Sequence, residues 1–487
     1  PFYIATGGTS LYRMTTAGAA TALTLPTGVT ILTGRRPRFA VLNRNVIGTN
    51  AFSRSINIDP DFNVTLSQLK PPATAPVLTS SASGGLTGTF RVKYTHIIKD
   101  ADKRIVAESD FSPISASSGA ITSKLLKATV EVSQDPGVTA RKMYRTATGP
   151  GTVYFPWFEI DGNTLTSGSD DLSDAALALV AAPTNLGSAP GMALGTFMPL
   201  LTTWKDRLWG VGDVEVDTLR HTDVDTPYAW KSTFEFNIPP VGFDQYGITG
   251  LAARKNELGV FKRNFMHKII GDSATTFERI NVHQGKGCYA PESIVVIDDI
   301  AYWLGEDGVY TWSSEGIKCI SNGAVRKWFT TTTYFNRSRF ENAFGKYNAK
   351  YHGYELHLAN TGDTTENRWI FYDIERKKWW GPHLTAAFTP TSGLGFFVDA
   401  NALTVPVVGG SDGVIYLTNQ TAFNDDNDII TLSAETTRHS ADTPNVKKVF
   451  KRPSFLFVEQ ASAGNLTAAV RVGAIDAGTV RTLYIDR

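Results

Sequence analysis

Metal binding is the first chemistry to consider, because potential ligands lie close together at two places in this sequence. His352 and His357 are five residues apart in the stretch YHGYELHLAN. Residues at an odd separation on a strand point to opposite faces, so this spacing predicts that the two imidazoles share no metal ion. The run NDDNDI, Asn424 to Ile429, offers oxygen ligands for Ca²⁺ but lacks the glycine of an EF-hand loop. An ordinary solvated loop is the favoured interpretation.

A second candidate is the turn in AYWLGEDGVYTW, Ala301 to Trp312. Turns of sialidase propellers read Ser-x-Asp-x-Gly-x-Thr-Trp, and they are structural even in sialidases. Here Asp307 and Gly308 are adjacent, and Gly305 stands where that motif has a serine. An Asp-Gly pair between apolar strands predicts a tight hairpin turn with positive φ angles. The stretch SDGVIYL, Ser411 to Leu417, repeats the device.

Other motifs that carry chemistry are scarce. The pair Asp298-Asp299 either straddles two faces of a strand or forms another hairpin turn. The sequence contains no Gly-x-Ser-x-Gly nucleophile motif and no phosphate-binding loop. We therefore predict no catalytic, no cofactor-binding and no metal-binding residues, and a protein that is not an enzyme.

Basic residues form three short clusters: GRRPR (Gly34 to Arg38), ERKKWW (Glu375 to Trp380) and KKVFKR (Lys447 to Arg452). Cations interleaved with aromatic rings can bind phosphate backbones. The favoured interpretation of the second cluster is a solvated hairpin bend whose Trp379 and Trp380 pack inward. Subunit contact is a third interpretation, since exposed tryptophan and arginine anchor interfaces.

Composition describes a folded β-rich protein. The 487 residues are 42% hydrophobic and 19% charged, and 43 glycines with 11% aromatics favour short strands and tight turns. The net charge of +1 gives no global signal for nucleic acid or a membrane. No run approaches the ~18 apolar residues that span a bilayer. Two cysteines, Cys288 and Cys319, are too few for a disulfide framework and are expected to be reduced thiols.

The strand-like runs suggest three regions. Residues 1–75 and 191–487 share one hairpin style and are predicted to be two parts of a β-propeller, with C-terminal strands. Residues 76–190 are predicted to be an inserted β-sandwich, preceded by a linker, KPPATAPVLTSSASGG (Lys70 to Gly85). Hairpins recur at intervals of about 40–50 residues, the size of a propeller blade. A pair of β-sandwiches remains the alternative, and short helices are expected at 173–180 and 322–329.

The stretch ELGVFKRNFMHKIIG, followed by ESIVVIDDIAYWLGEDGVYTWSSEGIKCISNGAVRKWF, resembles the propeller of tail proteins from short-tailed bacteriophages. The insertion, with FRVKYTHIIKDADKRIVAESDFSPIS and DPGVTARKMYRTATGPGTVYFPWFEID, is similar to fibronectin-type-III-like modules of virion proteins. The resemblance covers about Phe90 to Val414. It implies a tail nozzle or hub in the virion, a homo-oligomeric ring, often a hexamer, below the portal and adaptor rings. Such a ring carries fibres or spikes and conducts DNA during ejection without sequence-specific binding.

The resemblance leaves two questions open. The family that this chain resembles implies no cofactor and no catalytic residues. A secreted carbohydrate-binding or sialidase-like propeller remains the alternative function. A general scaffold or adhesin is a third. The chain ends in a strand-like stretch, VRTLYIDR. Either a terminal region is missing, or Phe2–Tyr12 pairs with the last blade.

Overall fold

The structure is a computed structural model that describes residues 2–15, 19–81, 83–180, 182, 198–239, 246–385, 388–398, 404–417, 424–425, 428–429, 466–472 and 479–485. Strands dominate these residues, so the predicted all-β class is confirmed. Residues 1–430 form one compact unit and residues 431–487 a second, which is described by itself.

The chain begins with a three-stranded antiparallel sheet, the N-terminal sheet: β1 (Phe2–Gly7), β2 (Ser10–Thr15) and β3 (Ala20–Leu23). In this sheet β1 pairs with β2, and β2 with β3. Among the described residues this sheet holds only these three strands, and the expectation that Phe2–Tyr12 pairs with the last blade stays a prediction. Leu11 is fully buried in a core shared with the next sheet.

That next sheet, sheet A, has its four strands in sequence order: β4 (Arg38–Leu42), β5 (Asn45–Thr49), β6 (Ile56–Ile58) and β7 (Val64–Leu66). All three residues of β6 are buried, with Ile56 and Ile58 on one face and Asn57 on the other, and Phe52 is fully buried beside them. A strand buried on both faces needs neighbours on both sides. One of these neighbours is the insertion that follows.

The insertion is a pair of antiparallel sheets around one core. Its elements are β8 (Val77–Ser80), β9 (Leu86–Gly88), β10 (Val92–Lys99), β11 (Ile105–Glu108), β12 (Ile121–Lys124), β13 (Leu126–Thr129), β14 (Ala140–Arg145), β15 (Phe155–Asp161), β16 (Ser167–Asp170) and α1 (Asp174–Leu177). One sheet has the order β11-β10-β14-β15 and the other β16-β13-β8, with β9 and β12 paired beside them. We call it the sandwich, because Tyr94, Leu126, Met143 and Trp157 from its strands share one core.

The predicted linker Lys70–Gly85 is only partly a linker. Val77–Ser80 forms β8, which pairs with β13 at the edge of its sheet. A segment rich in proline, serine and glycine is not expected in the interior of a sheet, and β8 is accordingly an edge strand.

A serine repeat covers the open edge of β10. Each serine donates its backbone N–H to a carbonyl of the strand, and its Oγ accepts the N–H of the same strand residue at 2.9–3.1 Å. The serines are three residues apart in the sequence, whereas the residues along β10 that they contact are two residues apart. The four serines are Ser109, Ser112, Ser115 and Ser118. Side chains thus satisfy backbone groups that a further strand would otherwise bind.

Four more four-stranded sheets and one three-stranded sheet follow in the described residues, all in sequence order. Sheet B is β17 (Leu200–Trp204), β18 (Arg207–Val211), β19 (Thr218–Asp223) and β20 (Thr226–Asn237). Sheet C is β21 (Gly250–Ala253), β22 (Leu258–Phe261), β23 (Phe265–Ile270) and β24 (Glu278–Gln284). Sheet D is β25 (Val295–Ile297), β26 (Ile300–Leu304), β27 (Val309–Ser313) and β28 (Gly316–Cys319).

Sheet E is β29 (Phe344–Asn348), β30 (Gly353–Leu358), β31 (Arg368–Asp373) and β32 (Lys378–Leu384). Sheet F is β33 (Pro390–Val398), β34 (Thr404–Gly410) and β35 (Ile415–Leu417). Between sheets D and E lies α2 (Arg326–Thr330), which overlaps the range 322–329 expected to be helical, with 3₁₀ turns at Gly323–Val325 and Arg337–Asn342. A further 3₁₀ turn, Pro291–Ser293, precedes sheet D. Short strands β36 (Asn424–Asp425) and β37 (Asp428–Ile429) pair, as do β38 (Leu466–Val472) and β39 (Thr479–Ile485) in the second unit.

The first strands of sheets A to F lie beside one another in series, from β4 to β17, β21, β25, β29 and β33. Neighbouring sheets also share cores. Trp209 of sheet B packs with Leu258 of sheet C, and Tyr302 of sheet D packs with Tyr354 of sheet E. Sheets that bury each other's faces around adjacent first strands make the fold propeller-like, rather than a pair of sandwiches.

Tight turns join the first two strands of several sheets. Both residues of the turns Asn43-Arg44, Lys205-Asp206 and Asp298-Asp299 have positive φ, between 46° and 65°. Two-residue turns of this kind match the twist of the strands that they join. The second interpretation of Asp298-Asp299, a hairpin turn, is therefore confirmed.

Candidate functional site

The turn at Asp307-Gly308 differs from the prediction in its geometry. Neither residue has a positive φ, so the expected reason for the glycine is wrong here, although Gly413 in the second copy does have a φ of 83°. Gly308 is instead required by close packing. A Cβ at this position would lie 2.2 Å from the Oγ of Ser321, and that Oγ accepts the N–H of Val309 at 2.9 Å.

Asp307 serves to fix its own hairpin. Its carboxylate accepts a hydrogen bond from the Tyr310 hydroxyl and lies 3.5 Å from the Arg326 guanidinium. The Lys286 ammonium donates to the same hydroxyl at 2.8 Å. Burial raises the pKa of Tyr310, and the hydrogen bond to Asp307 raises it further. A buried, neutral tyrosine locked in this way supports the structural interpretation of the motif.

The two histidines of YHGYELHLAN lie in separate environments. His352 precedes β30 in a turn, with a φ of 47°, and its Nε2 is 3.3 Å from an Asp298 oxygen. His357 lies within β30 and is fully buried. The two histidines were expected to lie apart, and they do. The expected reason, opposite faces of one strand, is wrong, because only His357 is on a strand. In the part of the chain that the structure describes, no group of three His, Cys, Asp or Glu side chains could hold a metal ion.

His357 belongs to a buried ionic cluster in sheet E. Glu355 accepts hydrogen bonds from Lys346 at 3.0 Å and Asn348 at 3.1 Å, and His357 Nε2 lies 2.9 Å from it. Burial alone would raise the pKa of Glu355, but Lys346 and His357 together lower it to about 2. Burial lowers the pKa of His357. The cluster stabilises the sheet interior and is closed to solvent.

The first basic cluster, Gly34–Arg38, leads into β4 and connects distant sheets. Arg36 donates to the Asn342 carbonyl at 2.8 Å and lies 3.5 Å from a Glu366 oxygen, while Arg38 lies 2.8 Å from Glu292. Glu292 precedes the first strand of sheet D, Asn342 precedes the first strand of sheet E, and Glu366 lies between β30 and β31. The arginines thus tie the start of sheet A to two sheets far along the series, which the sequence interpretation missed.

Two groups of contacts hold the sandwich against sheets A and B. Asp135 of the sandwich accepts both Nη atoms of Arg54, at 2.7 and 3.2 Å, and the Lys70 N–H at 2.5 Å. On the other side, β11 lies against β20. Within the sandwich's own sheet, Glu108 of β11 accepts the hydroxyl protons of Tyr144 at 2.5 Å and Thr95 at 2.7 Å. Burial raises the pKa of Glu108. No spacing in the sequence indicates the Arg54–Asp135 pair or the contact of β11 with β20, because in both cases the partners lie in different sheets.

The second basic cluster, Glu375–Trp380, lies at the last hairpin of sheet E. Trp379 is half-buried, and its Nε1 donates to the Ile320 carbonyl at 2.9 Å. Trp380 is 54% exposed, so the expectation that both tryptophans pack inward is wrong for this one. Alternation along β32 places the two side chains on opposite faces, and only one face is covered. The third cluster, Lys447–Arg452, and part of NDDNDI lie outside the described residues.

The remaining sequence expectations concern cysteines and membrane spans. Cys288 and Cys319 are free thiols, and burial raises the pKa of Cys288 to about 12. Such a thiol stays protonated and packs as a small apolar side chain. Within the described residues, no helix has the length and apolarity needed to cross a bilayer.

No family model and no curated protein matches this chain. Solved structures do match it at low similarity. YCF48 bound to D1 peptide has 10% identity and a TM-score of 0.29, over 74% of this chain and 85% of that chain. BBS1N in complex with ARL6DN also has 10% identity and a TM-score of 0.29, over 73% and 95%. Kluyvelomyces marxianus Hsv2 has 7% identity and a TM-score of 0.28, over 64% and 78%. These likenesses carry no functional argument.

Proposed function

We propose that this chain is a structural virion protein, the tail nozzle or hub of a short-tailed bacteriophage. In this proposal several copies, six in the expected form, make a ring below the portal and adaptor. The ring carries fibres or spikes outside and gives DNA a path through its centre. Sheets A to F are the blades of one propeller, and the sandwich is a fibronectin-III-like module.

The observation that supports this proposal most is the way the sandwich is fixed between sheets A and B. The Arg54–Asp135 pair joins it to sheet A, and both side chains are largely buried. Ile98, Val106 and Val138 of the sandwich lie in the same core as Phe52 and Ile56 of sheet A. A module bound by a flexible linker would lack this shared core. The two parts therefore behave as one stiff building block, as a component that bears load requires.

Ion pairs of buried arginines within the sheets also support this proposal. Arg207 binds Asp223 at 3.1 Å, and Arg254 binds Glu257 at 2.7 Å, with both arginine side chains about 6% exposed. These guanidinium groups brace their own sheets and the adjoining turn. A glycan-binding funnel would instead present arginines to a ligand, so this arrangement favours a scaffold over the carbohydrate-binding alternative.

Native mass spectrometry of the purified full chain tests the proposal, together with a glycan array and turnover of a model glycoside. The nozzle proposal predicts a closed oligomer, at one defined multiple of the 53.0 kDa chain mass, and no glycan binding or turnover. A chain that stays monomeric, or one that binds or cleaves glycans, would contradict it.

A further inference from the structure

An arginine stacked between two tyrosine rings lies in the turn that joins β22 to β23 of sheet C. The Arg263 guanidinium carbon is 4.4 Å from the centre of the Tyr246 ring and 3.7 Å from the centre of the Tyr289 ring. Arg263 is half-buried, and among the described residues it forms no hydrogen bond and no ion pair. Stacking fixes the plane of a guanidinium group and leaves the N–H donors at its edge open to a carboxylate. We call Arg263, Tyr246 and Tyr289 the clamp.

Exposed apolar side chains adjoin the clamp. Val214 is 67% and Val216 42% exposed in the connection between β18 and β19, and Tyr246 is 52% exposed. The Ile248 N–H donates to the Val216 carbonyl at 2.8 Å, which holds this connection beside the segment that carries Tyr246. Arginine and tyrosine are among the residues that anchor protein interfaces. The clamp with its two valines therefore suits a protein surface that offers a carboxylate beside an apolar group.

Such a surface lies on sheet B, where two turns meet. The Asp225 N–H donates to the Asp206 carbonyl at 2.9 Å, which joins the β19–β20 turn to the β17–β18 turn. Asp206 and Asp225 are exposed, and Val224 is 45% exposed. Among the described residues, neither carboxylate takes part in a hydrogen bond or an ion pair. We call Asp206, Val224 and Asp225 the acidic turns.

The clamp and the acidic turns lie at opposite ends of two neighbouring sheets. In an antiparallel sheet with its strands in sequence order, the turn between the second and third strands is at one end, and the other two turns are at the opposite end. Arg263 is in a turn of the first kind, whereas Asp206 and Asp225 are in turns of the second kind. Trp204, at the end of β17, donates from its Nε1 to the carbonyl of Arg254, just after β21, at 2.7 Å, so the corresponding ends of sheets B and C lie together. The two surfaces therefore cannot meet within one molecule.

Complementary surfaces at opposite ends of one chain form a head-to-tail contact between copies. Such contacts close into a ring when the rotation from one copy to the next permits. We propose that the clamp of one copy binds the acidic turns of a second copy, with Arg263 on the carboxylates of Asp206 and Asp225. In this contact Val214 and Val216 pack against Val224. The inference rests on the proposed ring and names the surfaces that meet in it.

A second copy suits the clamp better than nucleic acid does. Glu215 and Asp217, beside the valines, are paired with Arg220 and Lys262, which leaves Arg263 as a single cation without a counter-ion on the described part of this surface. A phosphate backbone is bound by several cations along its length. The acidic turns instead present a compact pair of carboxylates with an apolar side chain beside them. Single-stranded nucleic acid, which also stacks on exposed rings, is a separate outcome of the test.

Charge reversal in separate chains tests the contact. Variant X carries Arg263→Glu, and variant Y carries Asp206→Lys together with Asp225→Lys. Lysine suits these turns, because Lys205 and Lys377 have positive φ angles of 51° and 53° in the same kind of turn. Each variant alone places like charges opposite each other, so we expect the wild-type oligomer to fall by roughly tenfold or more. Mixed one to one, X and Y present opposite charges again, and an alternating assembly forms.

Native mass spectrometry measures the assembly, and circular dichroism shows that the variants are folded. Lys127→Glu is the matched control, since it makes a single charge reversal at an exposed position of β13 in the sandwich and should assemble as the wild type does. Arg263→Lys keeps the charge but lacks the planar group that the rings hold, so it should weaken assembly less than X does. Y tests the same contact from the other surface if X does not fold.

The outcomes separate this inference from the proposed function. Loss of the oligomer in X and Y, with recovery in the mixture, supports the contact. An oligomer that persists unchanged in X and Y, or that does not recover in the mixture, overturns the contact and leaves the ring proposal intact. Open chains that X and Y both abolish support the contact and contradict the ring.

Two further results would overturn the inference. A wild-type chain that stays monomeric contradicts both the contact and the proposed ring. If X loses binding of a single-stranded DNA oligonucleotide but assembles as the wild type does, the clamp is a nucleic-acid surface and the inference is wrong.

Discussion

Arg54 and Asp135 form a bidentate ion pair that joins sheet A to the sandwich, with Nη–Oδ distances of 2.7 and 3.2 Å. The Asp135 side chain is 2% exposed and the Arg54 side chain 16%. Arg54 also donates to the Gln68 carbonyl at 3.0 Å, just before the chain enters the sandwich. We call the Arg54–Asp135 contact between sheet A and the sandwich the joint. Arg54 thus fixes both the joint and the chain segment that leads into the sandwich.

Replacement Asp135→Asn should loosen this joint. It leaves the Arg54 guanidinium buried without its counter-ion, so we expect a loss of about 3 kcal/mol in the free energy of unfolding. Urea denaturation measures the loss, and limited proteolysis between residues 66 and 80 should become faster. Asp102→Asn is the matched control, because its partner Arg104 and its own side chain are both 63% exposed. Equal effects of the two substitutions would contradict the proposed role of the joint.

The serine repeat predicts a specific loss when one hydroxyl is removed. Ser112→Ala deletes the acceptor of the Tyr94 N–H, which is buried, and should cost about 1–3 kcal/mol in unfolding free energy. Ser117→Ala, at an exposed neighbouring position, should cost far less. Thermal unfolding compares the two. If Ser112→Ala is as stable as the wild type, the side chains do not replace a strand at this edge.

Gly308 gives a test of packing without backbone strain. Gly308→Ala places a methyl group against Ser321 and should lower the unfolding free energy by about 1–3 kcal/mol. Gly151→Ala, where a Cβ would lie 3.5 Å from its nearest neighbour, is the control. Because the conflict is with one hydroxyl, Ser321→Ala and Gly308→Ala together should cost less than the sum of the single changes. Additive losses in urea denaturation would show that another contact is responsible.

Two buried glutamates should affect stability in opposite directions as pH changes. The folded-state pKa of Glu355, about 2, lies below its unfolded value near ~4.3, so its contribution is present above that value and is lost as pH falls towards 2. Burial raises the pKa of Glu108, so stability from its protonated form is present below ~4.3 and declines as pH rises.

Unfolding free energies measured between about pH 3 and 7 check these signs. Glu355→Gln should flatten the acid limb of the curve while lowering stability at neutral pH, because the buried Lys346 loses its ion pair with Glu355. Glu108→Gln mimics the protonated acid and should instead reduce the decline at higher pH. The same change of slope in both variants would contradict the assignment.

Sequence patterns predicted the class of the fold because they record local geometry. The residues around Asp298-Asp299 left a hairpin turn as one of two interpretations, and the Asn322–Phe329 pattern indicated a short helix, which lies at Arg326–Thr330. Both depend on neighbours along the chain. The reason for Gly308 was wrong because a partner thirteen positions away, Ser321, restricts it. The Arg54–Asp135 joint was missed because no local period records a contact between sheets. Trp380 was misplaced because alternation gives opposite faces but does not say which face is covered.

Electron microscopy of the purified full chain tests the central claim, that this protein is a ring-forming tail component, most directly. We expect closed rings of one size with a central opening. Single particles of one chain, even after addition of a purified portal–adaptor complex, would contradict the claim.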